Sequence, residues 1–489
     1  MEIVLSAFLG EITQRSISFL IERFSREASS ASPSSDENLH RKLLRVRIIV
    51  EEAESRQIRN FAMLEQLKVL RAGMYRGYYM LDNYKYQAYK NYDHGVSHSF
   101  ALSKFNPAKR MQLCGGSSNR GQNEMQQMTD YLHMIIMDAS EFLKVLEGCP
   151  PLYRRPYSTY LVLEKCMFAR HVEMEHIINF LMQKGSPETE DFDVMPIVGP
   201  AKAGKSTLIE HLCNDERVRT AFSLIVFLTE GDLCERLTFI GDGGTIKHRS
   251  YGLDTNGRVL IIIRVNGDIS EDIWTSILLA SKRYAANDSK IIICSRSGKI
   301  ARFGTTSILK VEYLTPQAYW YFFKTLAFGS TDPKEDPELA SMAMEIAMGL
   351  NSSFIAGNAM TRILRANFNA QFWRTVQSCV KELNQGSCSI FGSQPVGPPG
   401  QNSRHLRILN DSNEYCSVFN YYQIVSSHDE APLTTFQEVW LGSAAPDGKF
   451  DVLAWVSSIP PFYSYTCSCE IHKVPKSDIQ KRHILKSHH

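Results

Sequence analysis

No apolar run in this sequence reaches the roughly 18 to 20 residues that a helix needs to cross a bilayer, so no membrane-spanning helix is expected. An excess of charge is also lacking. Lys and Arg number 54 against 52 Asp and Glu, a net charge of +2, and so even a balance creates no overall field for nucleic acid or an anionic lipid surface. Nucleic acid is not expected as a partner. There is no cysteine framework either: the 11 cysteines are odd in number and irregularly spaced, which suits free thiols in a reducing, cytoplasmic setting. The first residues carry Glu2 and Glu11 where a secretory leader has basic and then wholly apolar residues. Residues 386–489 show no regular leucine period, which argues against a leucine-rich array there. No pattern sets a nucleophile beside a base or pairs two carboxylates, so no catalytic residue is assigned.

What is present is a chain of 489 residues, 44% hydrophobic, long enough for about three domains. Its most informative stretch is Gly199-Pro-Ala-Lys-Ala-Gly204-Lys205-Ser206-Thr207. An apolar run at 194–198 leads in and a helix-compatible segment follows, which is the context a P-loop requires. Gly199 and Gly204 permit the tight backbone path that aims N–H groups at phosphate oxygens, and the N-terminus of the following helix adds its positive potential. Lys205 supplies a point charge for the terminal phosphates, Ser206 a hydroxyl for Mg²⁺, and Thr207 a group near the α-phosphate.

Around this motif the hydrophobic period changes. Residues 1–27 read as an amphipathic helix through Val4, Phe8, Ile12, Ile17 and Leu20, followed by a serine-rich loop. A second helix follows from Leu39 to Ala53, and a third carries Phe61, Leu64, Leu67, Leu70, Met74 and Leu81. The glycine-rich polar stretch 114–123 reads as a loop before a fourth helix through Met128, Leu132, Ile135, Phe142 and Leu146. These predict a four-helix bundle over residues 1–150, whose first helix could also meet a membrane surface or a partner. A linker with a helix covers 151–190. Beyond it, apolar runs at 194–198, 224–228, 259–263 and 290–294 lack alternation, as strands buried on both faces do. They predict a parallel sheet flanked by helices over 191–313, with the P-loop at the carboxyl end of its first strand, where such sheets bind ligands.

In order, the P-loop, the strand 259–263 with Trp274 after it, and Ser289-Lys-Ile-Ile-Ile-Cys-Ser-Arg296 resemble the successive motifs of the NB-ARC domain of plant nucleotide-binding disease-resistance (NLR) proteins. Residues 313–328, beginning Tyr313-Leu-Thr-Pro, look like that family's first motif beyond the sheet, and Glu345-Ile-Ala-Met-Gly349-Leu350 like the helix into its Gly-Leu-Pro-Leu motif. Residues 64–84 look like the third helix of the coiled-coil, Rx-type N-terminal domain. The resemblance covers about residues 1–385. It implies a central P-loop NTPase fold, an ARC1-like helical subdomain at 314–385, binding of ADP or ATP, and a role in plant defence through contacts of the N-terminal bundle with itself or with NLR partners. It also implies that Arg296 senses the terminal phosphate.

The sequence departs from that pattern at several places. Where the family ends the strand 259–263 in two aspartates, one for Mg²⁺ and one for the attacking water, this chain has Arg264 and Val265. Asp268, Glu271 and Asp272 lie nearby in sequence but on the segment that follows. The family's proline after Gly349-Leu350 is Asn351, and no Met-His-Asp motif or repeat array is found, as in a truncated family member. The expectation is an ADP- or ATP-binding helper, adaptor or decoy that does not hydrolyse nucleotide, cytoplasmic or peripherally associated with the plasma membrane. An active ATPase using Asp268 or Asp272 on Mg²⁺, and a nucleotide-independent scaffold, are the alternatives.

The remainder reads as a flexible linker at 386–404, a small antiparallel β-rich unit at 405–472 and a basic tail at 473–489. Strands are expected at 417–425, 435–441, 450–456 and 463–472. Cys467 and Cys469 are expected as packed thiols on one strand face rather than half of a zinc site.

Overall fold

The computed structural model describes residues 35–102, 107–152, 167–184, 192–234, 245–249, 257–282, 288–385, 403–409, 414–425 and 431–473. The expected first helix, the serine-rich loop up to residue 34, most of the 386–404 linker and nearly all of the basic tail lie outside them. The chain divides into two compact units, residues 1–160 and 161–489.

The first unit contains α1 (Ser35–Glu54), α2 (Phe61–Leu102) and α3 (Pro107–Glu147). Leu39, Leu43, Val46 and Val50 of α1 are buried with Leu64, Leu67 and Leu70 of α2 and Leu132, Ala139 and Leu146 of α3, the stripes their three-and-four spacing prescribes. Buried Arg56 closes the end of α3: its Nη1 donates to the carbonyls of Leu146 and Cys149, at 3.2 and 3.0 Å. A cation there also suits the helix dipole. One expectation is corrected. The glycine-rich segment 114–123 is not a loop but lies inside α3, because an amphipathic helix with a long packed face carries weak helix formers along with it.

The second unit begins with α4 (His171–Met182) and enters the sheet at β1 (Asp193–Val198). It continues through α5 (Lys205–Cys213), α6 (Glu216–Ala221), β2 (Leu224–Thr229), α7 (Glu230–Cys234), β3 (Thr245–Arg249), β4 (Val259–Arg264), α8 (Glu271–Lys282), β5 (Lys290–Ser295), a 3-10 turn (Gly298–Phe303) and β6 (Leu309–Lys310). The strand order is β3-β2-β4-β5-β1-β6. All pairings are parallel except that of β2 with the edge strand β3, which is antiparallel. Period-two alternation divides the core into two faces. Ile197, Phe227, Ile262 and Cys294 pack with Leu208 and Leu212 of α5 on one face. Ile261, Ile263, Ile291 and Ile293 pack with Trp274 of α8 and Phe303 on the other. Burial on both faces is why these strands read as unbroken apolar runs.

Four helices follow: α9 (Pro316–Phe328), α10 (Pro337–Gly349), α11 (Phe354–Ala366) and α12 (Ala370–Gln385). Thr315, Asp336 and Ser353 cap the first three by accepting from backbone N–H groups, and Pro316 and Pro337 open two of them. Fully buried Trp373 donates from its indole to the carbonyls of Leu364 and Asn367, both at 3.1 Å.

The C-terminal strands β7 (Ser403–Arg407), β8 (Glu414–Val425), β9 (Lys449–Val456) and β10 (Ser464–Lys473) form an antiparallel sheet in the order β7-β8-β10-β9. β7 begins within the expected linker. The expected strand at 435–441 is instead the short helix α13 (Phe436–Trp440). Thr435 and Glu438 form a reciprocal capping box there, a helix signal that outweighs the β-propensity of the local aromatics. Cys467 and Cys469 are buried with their sulfurs 4.0 Å apart, as two packed thiols on one strand.

Candidate phosphate-binding site

The site begins where β1 ends. Gly199 donates its N–H to the Ser295 carbonyl at 3.3 Å, and Val311 donates to the Val198 carbonyl at 2.8 Å, so the chain leaves the sheet clamped between β5 and β6. A Cβ on Gly199 would lie 2.0 Å from the Val311 carbonyl oxygen, which leaves room only for glycine. Gly204, at φ 93°, makes the left-handed turn into α5. Three side chains then hold the carbonyls of the loop. Arg170 donates to the Ala203 carbonyl at 3.0 Å and to that of Glu312, Tyr313 donates its hydroxyl to Ala201 at 2.8 Å, and the Lys205 ammonium lies 2.6 and 2.7 Å from the carbonyls of Gly199 and Pro200. In a trans peptide the N–H points opposite to its carbonyl. Fixing the carbonyls of Pro200, Ala201 and Ala203 therefore orients the N–H groups of Ala201, Lys202 and Gly204, while the Gly199 carbonyl precedes Pro200, which has no N–H.

Lys205, Ser206 and Thr207 form the first turn of α5, all half-buried. Burial, reinforced by the charge of Arg296, lowers the Lys205 pKa against a weaker upward pull from Cys294. Arg296 itself is exposed in the turn after β5. At the far end of α5, burial lowers the pKa of His211 below the ordinary 6.5 against a weaker opposing pull from Glu210. Since its folded pKa is depressed, the unfolded chain takes up the proton first as pH falls through about 6.5, and stability is lost on acidification. His211→Phe is expected to reduce the drop in melting temperature between about pH 7.5 and 5.5; an undiminished drop would assign it elsewhere.

The neighbouring strand ends differ from a metal site. Arg264 closes β4 on the same face as Ile262, its guanidinium 5.3 Å from the Phe227 ring. Val265 is buried in the opposite core. Asp268 accepts from Arg302 at 3.1 Å, and that guanidinium holds its carboxyl below the usual range. Glu230 accepts from the backbone and side chain of Asn266, and Asp232 from Thr229. Asp272 is exposed at the start of α8. With a guanidinium where a carboxylate is needed, this donor set does not suit a hard divalent cation beside Ser206. Among the described residues, no group of three or more His, Cys, Asp or Glu could hold a metal ion.

Arg170 carried no signal in the sequence, and Tyr313 stood out only as the start of the motif beyond the sheet; that both reach the loop, across more than 30 intervening residues, is visible only in the structure. Asn351 has a simpler account. It sits at φ 49° with Ser352 at φ 56°, a turn that proline, locked near φ −65°, cannot make.

No protein-family model matches the chain. It is 24% identical over 399 residues to a disease-resistance RPP13-like protein 1 of Arabidopsis thaliana, covering 77% of this chain and 37% of that protein. Disease resistance protein RGA2 of Solanum bulbocastanum is 22% identical over 396 residues, covering 76% and 38%. The chain thus spans less than two fifths of the length of these relatives.

Proposed function

We propose that this chain, a homologue of plant disease-resistance proteins of the NLR type over about three quarters of its length, is an immune-receptor-like protein that binds ADP or ATP without hydrolysing it. The observation that carries this is the rigid loop 199–204, whose carbonyls are held by Arg170, Tyr313 and Lys205 and which opens α5 with Lys205, Ser206 and Thr207. A preset row of amides at a helix N-terminus, with an ammonium beside it, suits a nucleoside diphosphate. In this reading Arg296, exposed in the turn after β5, meets the terminal phosphate. Hydrolysis through Asp268 gains no support, because that carboxylate is committed to Arg302.

In this reading the protein is a helper, adaptor or decoy. Its helical region 1–150, an Rx-type bundle, contacts a second copy or an NLR partner, and its nucleotide stabilises the region 191–385. The free thiols among the described residues fit a reducing cytoplasm. No helix of the described residues is long and apolar enough to cross a membrane.

Denaturing the purified full chain and identifying the released nucleotide tests this reading. ADP at about one per chain is expected, with Lys205→Ala losing it and losing the rise in melting temperature that added ADP gives the wild type. A folded wild-type protein that neither retains ADP nor is stabilised by it overturns the reading.

A further inference from the structure

Three cations converge on the carboxyl edge of the large sheet. Arg264 pairs in register with Cys294 on β5, Cys294 pairs with Ile197 on β1, and the P-loop leaves β1 two residues later. Two strand spacings put the Arg264 backbone about 10 Å from Ile197, two residues before that exit. The Arg264 guanidinium rests over the Phe227 ring of β2, the neighbour of β4. Alternation puts it on the face where Ile262 and Cys294 pack against α5, the helix that carries Lys205. Burial raises the pKa of the Cys294 thiol against a weaker downward pull from the charges of Lys205 and Arg264, and the charge of Arg296 acts on Lys205 in turn. Among the described residues, none of the three has a carboxylate within ion-pair distance. Like charges gathered at a half-buried edge repel one another until an anion joins them.

Arg264 is also held in place. Phe227 lies beneath its guanidinium at 5.3 Å, and Nη1 donates to the Tyr463 hydroxyl at 3.4 Å. Tyr463 belongs to the β9–β10 connection of the C-terminal sheet, and Ile459 of the same connection packs against the core on this face. The connection is therefore seated on the sheet edge that bears the P-loop.

We propose that Arg264, steadied by Phe227 and Tyr463, is a built-in counter-cation for the phosphates of a nucleoside di- or triphosphate, so that the chain binds ADP and ATP without Mg²⁺. The inference rests on the nucleotide-binding reading above and goes further by giving the arginine the charge-neutralising part that a divalent ion plays elsewhere. A guanidinium suits that part: it remains charged and offers its donors in a planar fork that matches two phosphate oxygens.

The test measures Kd for ADP and ATP with the full-length protein in EDTA and again in excess MgCl₂. Wild type is expected to bind equally within about twofold in both. Arg264→Asp is expected to lose at least about tenfold in EDTA and to regain much of it when Mg²⁺ is added, because a carboxylate at the end of β4 rebuilds a metal ligand. Arg264→Gln guards against misfolding of the aspartate variant and should lose affinity with no rescue by Mg²⁺. Tyr463→Phe should weaken ATP a few-fold without a change in the melting temperature of the nucleotide-free protein. Wild-type binding at least about tenfold tighter with Mg²⁺ than in EDTA overturns the inference and leaves the nucleotide reading intact. Unchanged affinity in Arg264→Gln overturns it as well. Absence of binding in both buffers overturns the nucleotide reading and this inference together.

Discussion

Gly199→Ala is expected to lower the stability of the second unit by about 3 kcal/mol or more, the upper range for a side chain forced into a filled space. The new methyl would lie 2.0 Å from the carbonyl oxygen of Val311 and 3.0 Å from its carbonyl carbon, both backbone atoms that cannot swing aside. That backbone is itself tied back to β1 by the Val311 N–H on Val198. Relief therefore requires β6 to part from β1, which disturbs the origin of the P-loop and should cost nucleotide binding as well. A drop in melting temperature of about 4 °C or more is expected on the usual entropy scaling for a unit spanning residues 161–489. Gly298→Ala is the control, since a Cβ there meets nothing within 4 Å. Equal melting temperatures for the two variants would show that the clamp between β1 and β6 yields more easily than its geometry implies.

Arg217→Ala is the second large effect. Glu175 on α4 is wholly buried, and Arg217 donates to its two oxygens at 3.0 and 2.8 Å while also bonding Asp215. Burial is the largest single influence on the Arg217 pKa and lowers it, but the hydrogen bonds that Arg217 donates to both carboxylates, with their charges, hold it above its ordinary value. Removing the guanidinium leaves a carboxylate in an apolar region with no comparable partner, a change that costs about 3–5 kcal/mol. The pair joins α4 to α6 beneath the P-loop helix, so the melting temperature should fall sharply. The double variant Glu175→Leu/Arg217→Ala should recover most of the loss, because it removes the stranded charge along with its partner. Equal losses in the single and double variants would mean that Arg217 acts through packing instead of charge.

The two predictions depend on different kinds of information. Gly199 stands out in the chain because the spacing to Gly204 and Lys205 belongs to a phosphate loop, yet what it must avoid, the Val311 carbonyl, lies 112 residues away. The Glu175–Arg217 pair has no sequence signature. Its members are separated by 42 residues, and a charged residue on an amphipathic helix ordinarily reads as solvated surface.

The same division holds across the molecule. The sequence alone determined the four central parallel strands, since runs such as Ile291-Ile292-Ile293 have no polar face to present to water and must be covered on both sides. It also determined the helical period of 39–81 and the position of the P-loop at the end of β1. Weaker local signals were decided by tertiary packing. The stretch 114–123 is helical because its neighbours along α3 share a packed face, and 435–441 is a helix because the Thr435–Glu438 box satisfies backbone groups that a strand would have left to a partner. The edge strand β3 is mostly exposed and carries no apolar run, so only its pairing with β2 defines it. Which cations share an edge was likewise beyond the sequence. Arg264, Arg296 and Lys205 lie at or beyond the carboxyl ends of neighbouring strands because strand order sets β5 between β4 and β1, and Tyr463 reaches Arg264 across 199 residues. Local sequence encodes backbone preference and burial, but charges and hydrogen-bond donors act through space, and space is fixed only when the strands have found their order.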